Sequence, residues 1–341
     1  MTESPLKILA IGDSYMSAEQ IAAALADRGF AVDRRTVTEA VPTWDVSGIR
    51  EFEGDPAEVA DLLRGYDVAL VHGAPITAEV LEANPGLSMI GCLRGGPVNI
   101  DVAAAKERGV AMSITPGKNA EAVAELTIGF LISMIRNVPA SLHDVEERRA
   151  SGAPLAESTF EGARWFGREV STLTLGLIGY GNVARLVSAK ARALGATVIA
   201  FDPFVDPASV SDAELVSSLD ELLPRIDVLS LHARATAENR HLIGEDALAA
   251  LRRGALLINT ARESLVDEQA LLAAVRSGQV GGVAMDVNEP DGVWRELVAL
   301  PQVVLTPHLG GATLETLQRG SEMIADDVVA FAEGRTRRWS L

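Results

Sequence analysis

A chain of 341 residues, at roughly 100–200 residues per compact domain, has the length for two domains that each bury a core. About half of it is apolar, and 47 acidic residues against 30 basic ones leave a formal charge of −17. That balance argues against nucleic acid and anionic membranes as partners, because both need clustered lysines and arginines.

The single cysteine, Cys92, has no partner for a disulfide or a cysteine-based metal site; it reads as a small buried hydrophobe, and no metal is expected. The start, Met1-Thr2-Glu3-Ser4-Pro5, lacks the basic and apolar stretches of a signal peptide, and no apolar run nears the ~20 residues of a membrane span. A cytoplasmic protein is expected.

In chain order, strands are expected at residues 6–11, 31–37, 67–72, 87–93 and 110–113, with helical segments near 18–28, 56–64, 77–82 and 101–108. Gly29, Gly65 and Gly109 each follow a helical segment, where a glycine closes a helix. Such alternation belongs to a parallel sheet covered on both faces. A longer helix is expected from Ala120 to about Arg136, with Asn119 as its N-cap. Residues 137–170, charged and without clear periodicity, read as a loop or as an arm packing on another subunit. Strands resume at 173–178, 197–201, 227–231, 255–259, 282–285 and 303–306. Asp267 and Gly278 bracket one more helix, and a final helix runs from about Thr313 to Glu333.

The strand at 173–178 ends in Gly179-Tyr180-Gly181-Asn182-Val183-Ala184. The first glycine permits a tight turn, the second lets the backbone approach a pyrophosphate, and Ala184 is small enough for helix and strand to pack. The helix N-terminus then presents unpaired N–H groups and a positive dipole end to phosphate. The next strand ends at Asp202, followed by Pro203. A carboxylate there meets the ribose hydroxyls and repels a 2′-phosphate, so NAD is expected over NADP.

Five stretches in one order resemble the D-2-hydroxy-acid dehydrogenase family: RGGPVNID at 94–101, PGKNAEAVAE at 116–125, the dinucleotide unit, INTARESLVD at 258–267 and TPHLGG at 306–311. The resemblance implies an α/β protein of two doubly wound parallel-sheet domains. A Rossmann NAD domain (117–310) is inserted into a flavodoxin-like substrate domain (1–116 and 311–341), with the active site in the cleft between them. It also implies a homodimer, formed through about 120–170. The implied activity is NAD-dependent interconversion of a D-2-hydroxy acid and its 2-oxo acid, phosphoglycerate dehydrogenase-like or hydroxypyruvate/glyoxylate reductase-like. Formate- or phosphite-type dehydrogenases and NADH-sensing corepressors share the architecture, so fold alone does not fix the function.

That chemistry sets three tasks: hold the carboxylate, stabilise charge on the carbonyl oxygen, and exchange a proton. Arg262, just past a strand end, suits the first two through a bidentate guanidinium. His308, at another strand end, suits the third, since imidazole titrates near neutrality. Its carboxylate partner is either Glu289, which matches the family's Glu-Pro pair, or Asp291, which matches its spacing; Glu289 is preferred. The resemblance sets Asp286 at the nicotinamide, with Thr260, Ala261, Gly310 and Gly311 also on the cofactor. His232 is expected to line the cofactor. Arg94, Gly95, Gly96 and His72 are expected on the substrate side, and His143 and His241 toward solvent.

Overall fold

The computed structural model describes residues 6–37, 48–155 and 159–341, so the reading of residues 1–5 lies outside it. Contacts divide the chain into two units, Met1–Lys118 with Thr313–Leu341, and Asn119–Ala312.

The first unit runs β1 (Ile8–Gly12), α1 (Ala18–Asp27), β2 (Val32–Thr36), α2 (Pro56–Leu62), β3 (Val68–Val71), α3 (Ala78–Ala83), β4 (Met89–Cys92), α4 (Val102–Glu107) and β5 (Ala111–Ser113). Its five strands are parallel in the order β2-β1-β3-β4-β5, the flavodoxin-like arrangement. β1, β3 and β4 are buried along their whole length, which is why they read as unbroken apolar runs rather than alternating ones. Polar caps start the helices: Ser17, Asp55, Thr77 and Asp101 each accept a hydrogen bond from a first-turn amide. Gly29, Gly65 and Gly109 take left-handed φ values at the helix ends.

The second unit begins with α5 (Ala120–Ile135) and α6 (Val138–Ser151). It continues through β6 (Thr174–Ile178), α7 (Asn182–Ala193), β7 (Thr197–Phe201), β8 (Glu214–Leu215), α8 (Leu219–Leu222), β9 (Val228–Leu231) and α9 (Glu245–Ala250). It ends with β10 (Ala255–Asn259), α10 (Glu268–Arg276), β11 (Val280–Met285), α11 (Trp294–Val298) and β12 (Val303–Leu305). The seven parallel strands lie in the order β12-β11-β10-β9-β6-β7-β8, a Rossmann sheet whose order reverses at β6. The last helix, α12 (Leu314–Ala332), returns to the first unit. Ile324 of α12 sits in the same core as Ile8, Leu70 and Met89. Gly91 of β4 permits that approach, for a Cβ there would lie 2.6 Å from Ile324 Cγ2.

Two expectations need correction. Residues 137–170 are not simply a loop: they contain α6, none of whose residues is buried. Its apolar positions, Val138, Leu142 and Val145, are few and exposed, too sparse a stripe among charged residues to mark a helix. Asn119 occupies the N-cap position of α5 but makes no side-chain cap bond; the helix is fixed instead by burial of Ala120, Ala124 and Leu131. The two-residue edge strand β8 was also unforeseen, being too short to carry a pattern. No single helix among the described residues is long and apolar enough to cross a membrane.

Candidate functional site

The turn from β6 into α7 is shaped by its glycines. Gly179 has φ +84°, and a Cβ there would lie 2.7 Å from the Ala233 amide nitrogen and 2.8 Å from the His232 carbonyl carbon. At Gly181, the residue before α7, a Cβ would meet nothing within 4 Å, so the helix N-terminus at Asn182 and Val183 opens on free space. Ala184 is fully buried between helix and sheet. Tyr180 works differently from its neighbours. Its ring is buried, its hydroxyl bonds to Asp212 at 2.7 Å, and only its backbone belongs to the turn.

Asp202, just beyond β7, accepts from the Tyr180 amide at 2.7 Å and from the Phe204 amide at 2.9 Å, with Pro203 exposed between. Its carboxylate is thereby fixed beside the glycine turn. His232, just beyond β9, lies 2.9 Å through Nε2 from the Ser230 hydroxyl; burial pushes its pKa down to about 4, so the ring is neutral. An open helix N-terminus, a close-packed turn and a fixed carboxylate at the second strand end fit a dinucleotide.

Three further groups sit at the ends of the adjacent strands β10, β11 and β12. Past β10, the buried Asn259 donates to the Arg262 carbonyl at 2.9 Å and accepts from the Ala261 amide at 3.0 Å, holding the turn rigid. Thr260 joins it through a 3.0 Å hydroxyl contact with Thr127. The exposed Arg262 guanidinium bonds only to the Ala261 carbonyl, at 2.7 Å, and pairs with no carboxylate among the described residues.

At the end of β11, Asp286 is 2% exposed. Its carboxylate accepts from the Thr306 hydroxyl at 2.5 Å and from the Leu309 and Gly310 amides at 2.7 Å. A Cβ on Gly310 would come within 2.9 Å of that carboxylate, so the 306–311 loop, with Gly311, is wrapped tightly around it. Within that loop His308 is exposed and has φ +60°, a left-handed backbone for a non-glycine residue.

The preferred carboxylate is elsewhere engaged. Glu289 bonds to Arg240 at 2.8 Å, and its amide donates to Glu268 at 2.8 Å. Neither Glu289 nor Asp291 pairs with His308 among the described residues: the permanent charge of Arg240 takes the role foreseen for the imidazole. His241 also departs from expectation. It is half-buried with φ +53°, its Nε2 has no hydrogen-bond partner among the described residues, and it lies 3.8 Å from Glu289. His143 is exposed, 3.4 Å from Glu147, as a surface histidine should be.

The first unit carries its own polar cluster at the ends of β1, β3 and β4. His72 bonds through Nδ1 to Asp13 at 3.0 Å and stacks on Tyr15 with ring centres 4.8 Å apart. Asp13 also accepts from the Tyr15, Met16 and Gly73 amides. Burial would raise the Asp13 pKa, but the His72 hydrogen bond and charge and the Met16 and Gly73 amides outweigh it and hold it below the usual value. Arg94 is anchored to Glu51, through its backbone carbonyl at 2.7 Å and its carboxylate at 2.5 Å. Beside it, a Cβ on Gly96 would meet nothing within 4 Å, and one on Gly95 only the backbone at 115–116, from 3.6 Å outward. Asp13, Tyr15 and Lys118 were not foreseen. The polar run Asp13-Ser14-Tyr15 directly after a buried strand was the available signal.

A model of the D-isomer specific 2-hydroxyacid dehydrogenase NAD binding domain matches residues 128–310. Hydroxypyruvate reductase of Thermotoga maritima is 36% identical over 273 residues, which cover 78% of this chain and 85% of that protein. D-3-phosphoglycerate dehydrogenase of Methanocaldococcus jannaschii is 32% identical over 282 residues, covering 81% of this chain and 52% of that protein. The chain thus spans about half the length of the phosphoglycerate dehydrogenases it matches. The solved structure of a D-2-hydroxyisocaproate dehydrogenase is similar over 98% of this chain and 99% of that one, with a TM-score of 0.83 and 26% identity.

Proposed function

The chain belongs to the D-isomer-specific 2-hydroxyacid dehydrogenase family and carries its NAD-binding domain, and from that premise we propose that it interconverts a D-2-hydroxy acid and the corresponding 2-oxo acid. The observation that carries this reading is the pair of strand-end groups on β10 and β12. An exposed guanidinium that pairs with no carboxylate among the described residues sits on one, and an exposed imidazole held in a strained backbone sits on the other. Strand ends are where open α/β sheets bind their ligands.

NAD, when bound, supplies or takes the hydride. The residues that would hold it are the turn at Gly179, Tyr180 and Gly181, the α7 amides of Asn182 and Val183, and Asp202 with Pro203 on the ribose. Thr260, Ala261, His232, Asp286, Gly310 and Gly311 line its other half.

Arg262 grips the substrate carboxylate through parallel N–H bonds and lies against the carbonyl oxygen, stabilising the charge that develops there. His308 gives a proton to that oxygen in reduction and removes it in oxidation. A carboxylate beside the ring favours the imidazolium; for Glu289 to serve, it must exchange Arg240 for His308. His72, Arg94, Gly95 and Gly96 are assigned to recognition of the acid.

A homodimer through about residues 120–170 is supported by α6, none of whose residues is buried, and by the exposed Leu142 and Phe166. A cytoplasmic location is supported by the single, buried cysteine.

The test is a panel of 2-oxo acids (glyoxylate, hydroxypyruvate, 3-phosphohydroxypyruvate, pyruvate and 2-oxoisocaproate) followed by loss of NADH absorbance. Turnover of at least one member is expected, and Arg262→Ala should abolish it while leaving NADH affinity nearly intact. Tight NADH binding without turnover of any member would overturn the proposal.

A further inference from the structure

Lys118 is the last residue of the first unit and is 8% exposed. Its stem lies on α12, where a Cβ on Gly320 would come within 3.1 Å of Lys118 Cδ. Its backbone carbonyl is held by Arg319 Nε at 2.8 Å. The ammonium is therefore fixed, and it donates to a single acceptor, the Leu93 carbonyl at 2.5 Å. Two of its three donors remain unmatched among the described residues. The carboxylates of the surrounding strand-end cluster are engaged elsewhere, Asp13 with His72 and Glu51 with Arg94.

Among the described residues no carboxylate pairs directly with this ammonium; a buried cation so placed is costly, and an apolar side chain of the same shape would cost less. Burial pushes the Lys118 pKa down to about 8; the positive charge of Arg94 adds to the effect, while Cys92 and the Asp13 charge oppose it without cancelling it. The site also has the neighbours an anion needs. Leu93 directly precedes the open Arg94-Gly95-Gly96 stretch, and the cluster lies at the strand-end edge of the sheet, the ligand-binding edge of open α/β folds.

We propose that Lys118 binds an anionic oxygen group, carboxylate or phosphate, of the acid substrate. The inference rests on the reading that this protein acts on a 2-oxo acid. It adds a specificity-determining cation to the first unit, distinct from Arg262.

The test compares Lys118→Met, which keeps the length of the stem and removes the charge, with Lys118→Arg, which keeps the charge. Loss of one charged hydrogen bond predicts a KM for the 2-oxo acid about ten- to a hundredfold higher in Lys118→Met. NADH affinity should be unchanged and the melting temperature equal or higher; Lys118→Arg should recover most of the KM. An equal rise for glyoxylate and 3-phosphohydroxypyruvate identifies the shared carboxylate as the bound group. A rise confined to the phosphorylated acid identifies the phosphate.

The wild-type KM should also climb above pH about 8 as the ammonium deprotonates, and Lys118→Met should lose that limb. Asp13, Cys92, Arg94 and Arg319 face or adjoin this lysine and remain in both proteins. A lysine with a purely structural role would lower the melting temperature and leave the limb in place. Turnover with an unchanged KM for every acid would overturn the inference while leaving the dehydrogenase reading intact. Should the wild type turn over no acid, that reading falls instead. Calorimetry with oxalate and inorganic phosphate then decides: binding lost in Lys118→Met sustains the inference, and no binding to the wild type ends it.

Discussion

Asp286→Asn isolates the clamp on the His308 loop. The native carboxylate serves three donors, the Thr306 hydroxyl and Leu309 amide on one oxygen and the Gly310 amide on the other. Asparagine has one oxygen. If it keeps Thr306 and Leu309, its NH₂ faces the Gly310 amide, donor against donor, in a position that is buried. One unmatched buried N–H costs about 1–3 kcal/mol, and the two surviving bonds lose charge assistance worth about 1 kcal/mol each. Because the three share one side chain, they will not simply add; a net loss of about 3 kcal/mol is expected. Urea unfolding should register that loss with an unchanged slope. His308 sits in the middle of the released segment, so kcat should fall as well. A stability change under about 0.5 kcal/mol, or a full loss of stability with undiminished turnover, would refute the idea that this carboxylate places the histidine.

Other expectations follow from the same geometry. His308→Asn preserves the left-handed backbone, which asparagine tolerates; stability should stay within about 0.5 kcal/mol while turnover falls about 10²–10⁴-fold, as steady-state kinetics beside thermal melts will show. Asp202→Ser keeps a hydroxyl for the neighbouring amides but removes the charge opposed to a 2′-phosphate. It should raise the affinity for NADPH relative to NADH about tenfold, a like-charge contact near a surface being worth about 1 kcal/mol or more, and titration of both cofactors measures the ratio. Asp13 has its pKa held below 3.8 in the folded chain. The stability it contributes is therefore complete above that value and lost as pH falls through the lower, folded-state pKa. Asp13→Asn should flatten the acid limb of the stability–pH curve between those two values and leave the alkaline side unchanged; an unaltered acid limb would remove the dyad from the account.

The strands were legible because parallel strands covered on both faces must be apolar throughout: residues 87–93 announced β4, and 255–259 matched β10 to the residue. Helix ends were legible where chemistry forces a residue type, as with Gly29, Gly109 and the Asp267 cap, whose carboxylate accepts from two amides. The helix α6 was not, because with no residue buried it needs only a sparse apolar stripe, Val138, Leu142 and Val145, among charged neighbours. Dinucleotide binding was readable in Gly179 to Asp202, where each position has a local steric or electrostatic reason.

What the sequence alone determined was therefore the strand framework, the cofactor turn and the presence of Arg262 and His308 at strand ends. Charge pairing belonged to the tertiary structure, because an ion pair between residues far apart in the chain leaves no local pattern. Folding paired Glu289 with Arg240, hydrogen-bonded Asp13 to His72, and left the buried Lys118 ammonium with a single carbonyl acceptor among the described residues. Such charges take their character from neighbours brought together only by the tertiary fold.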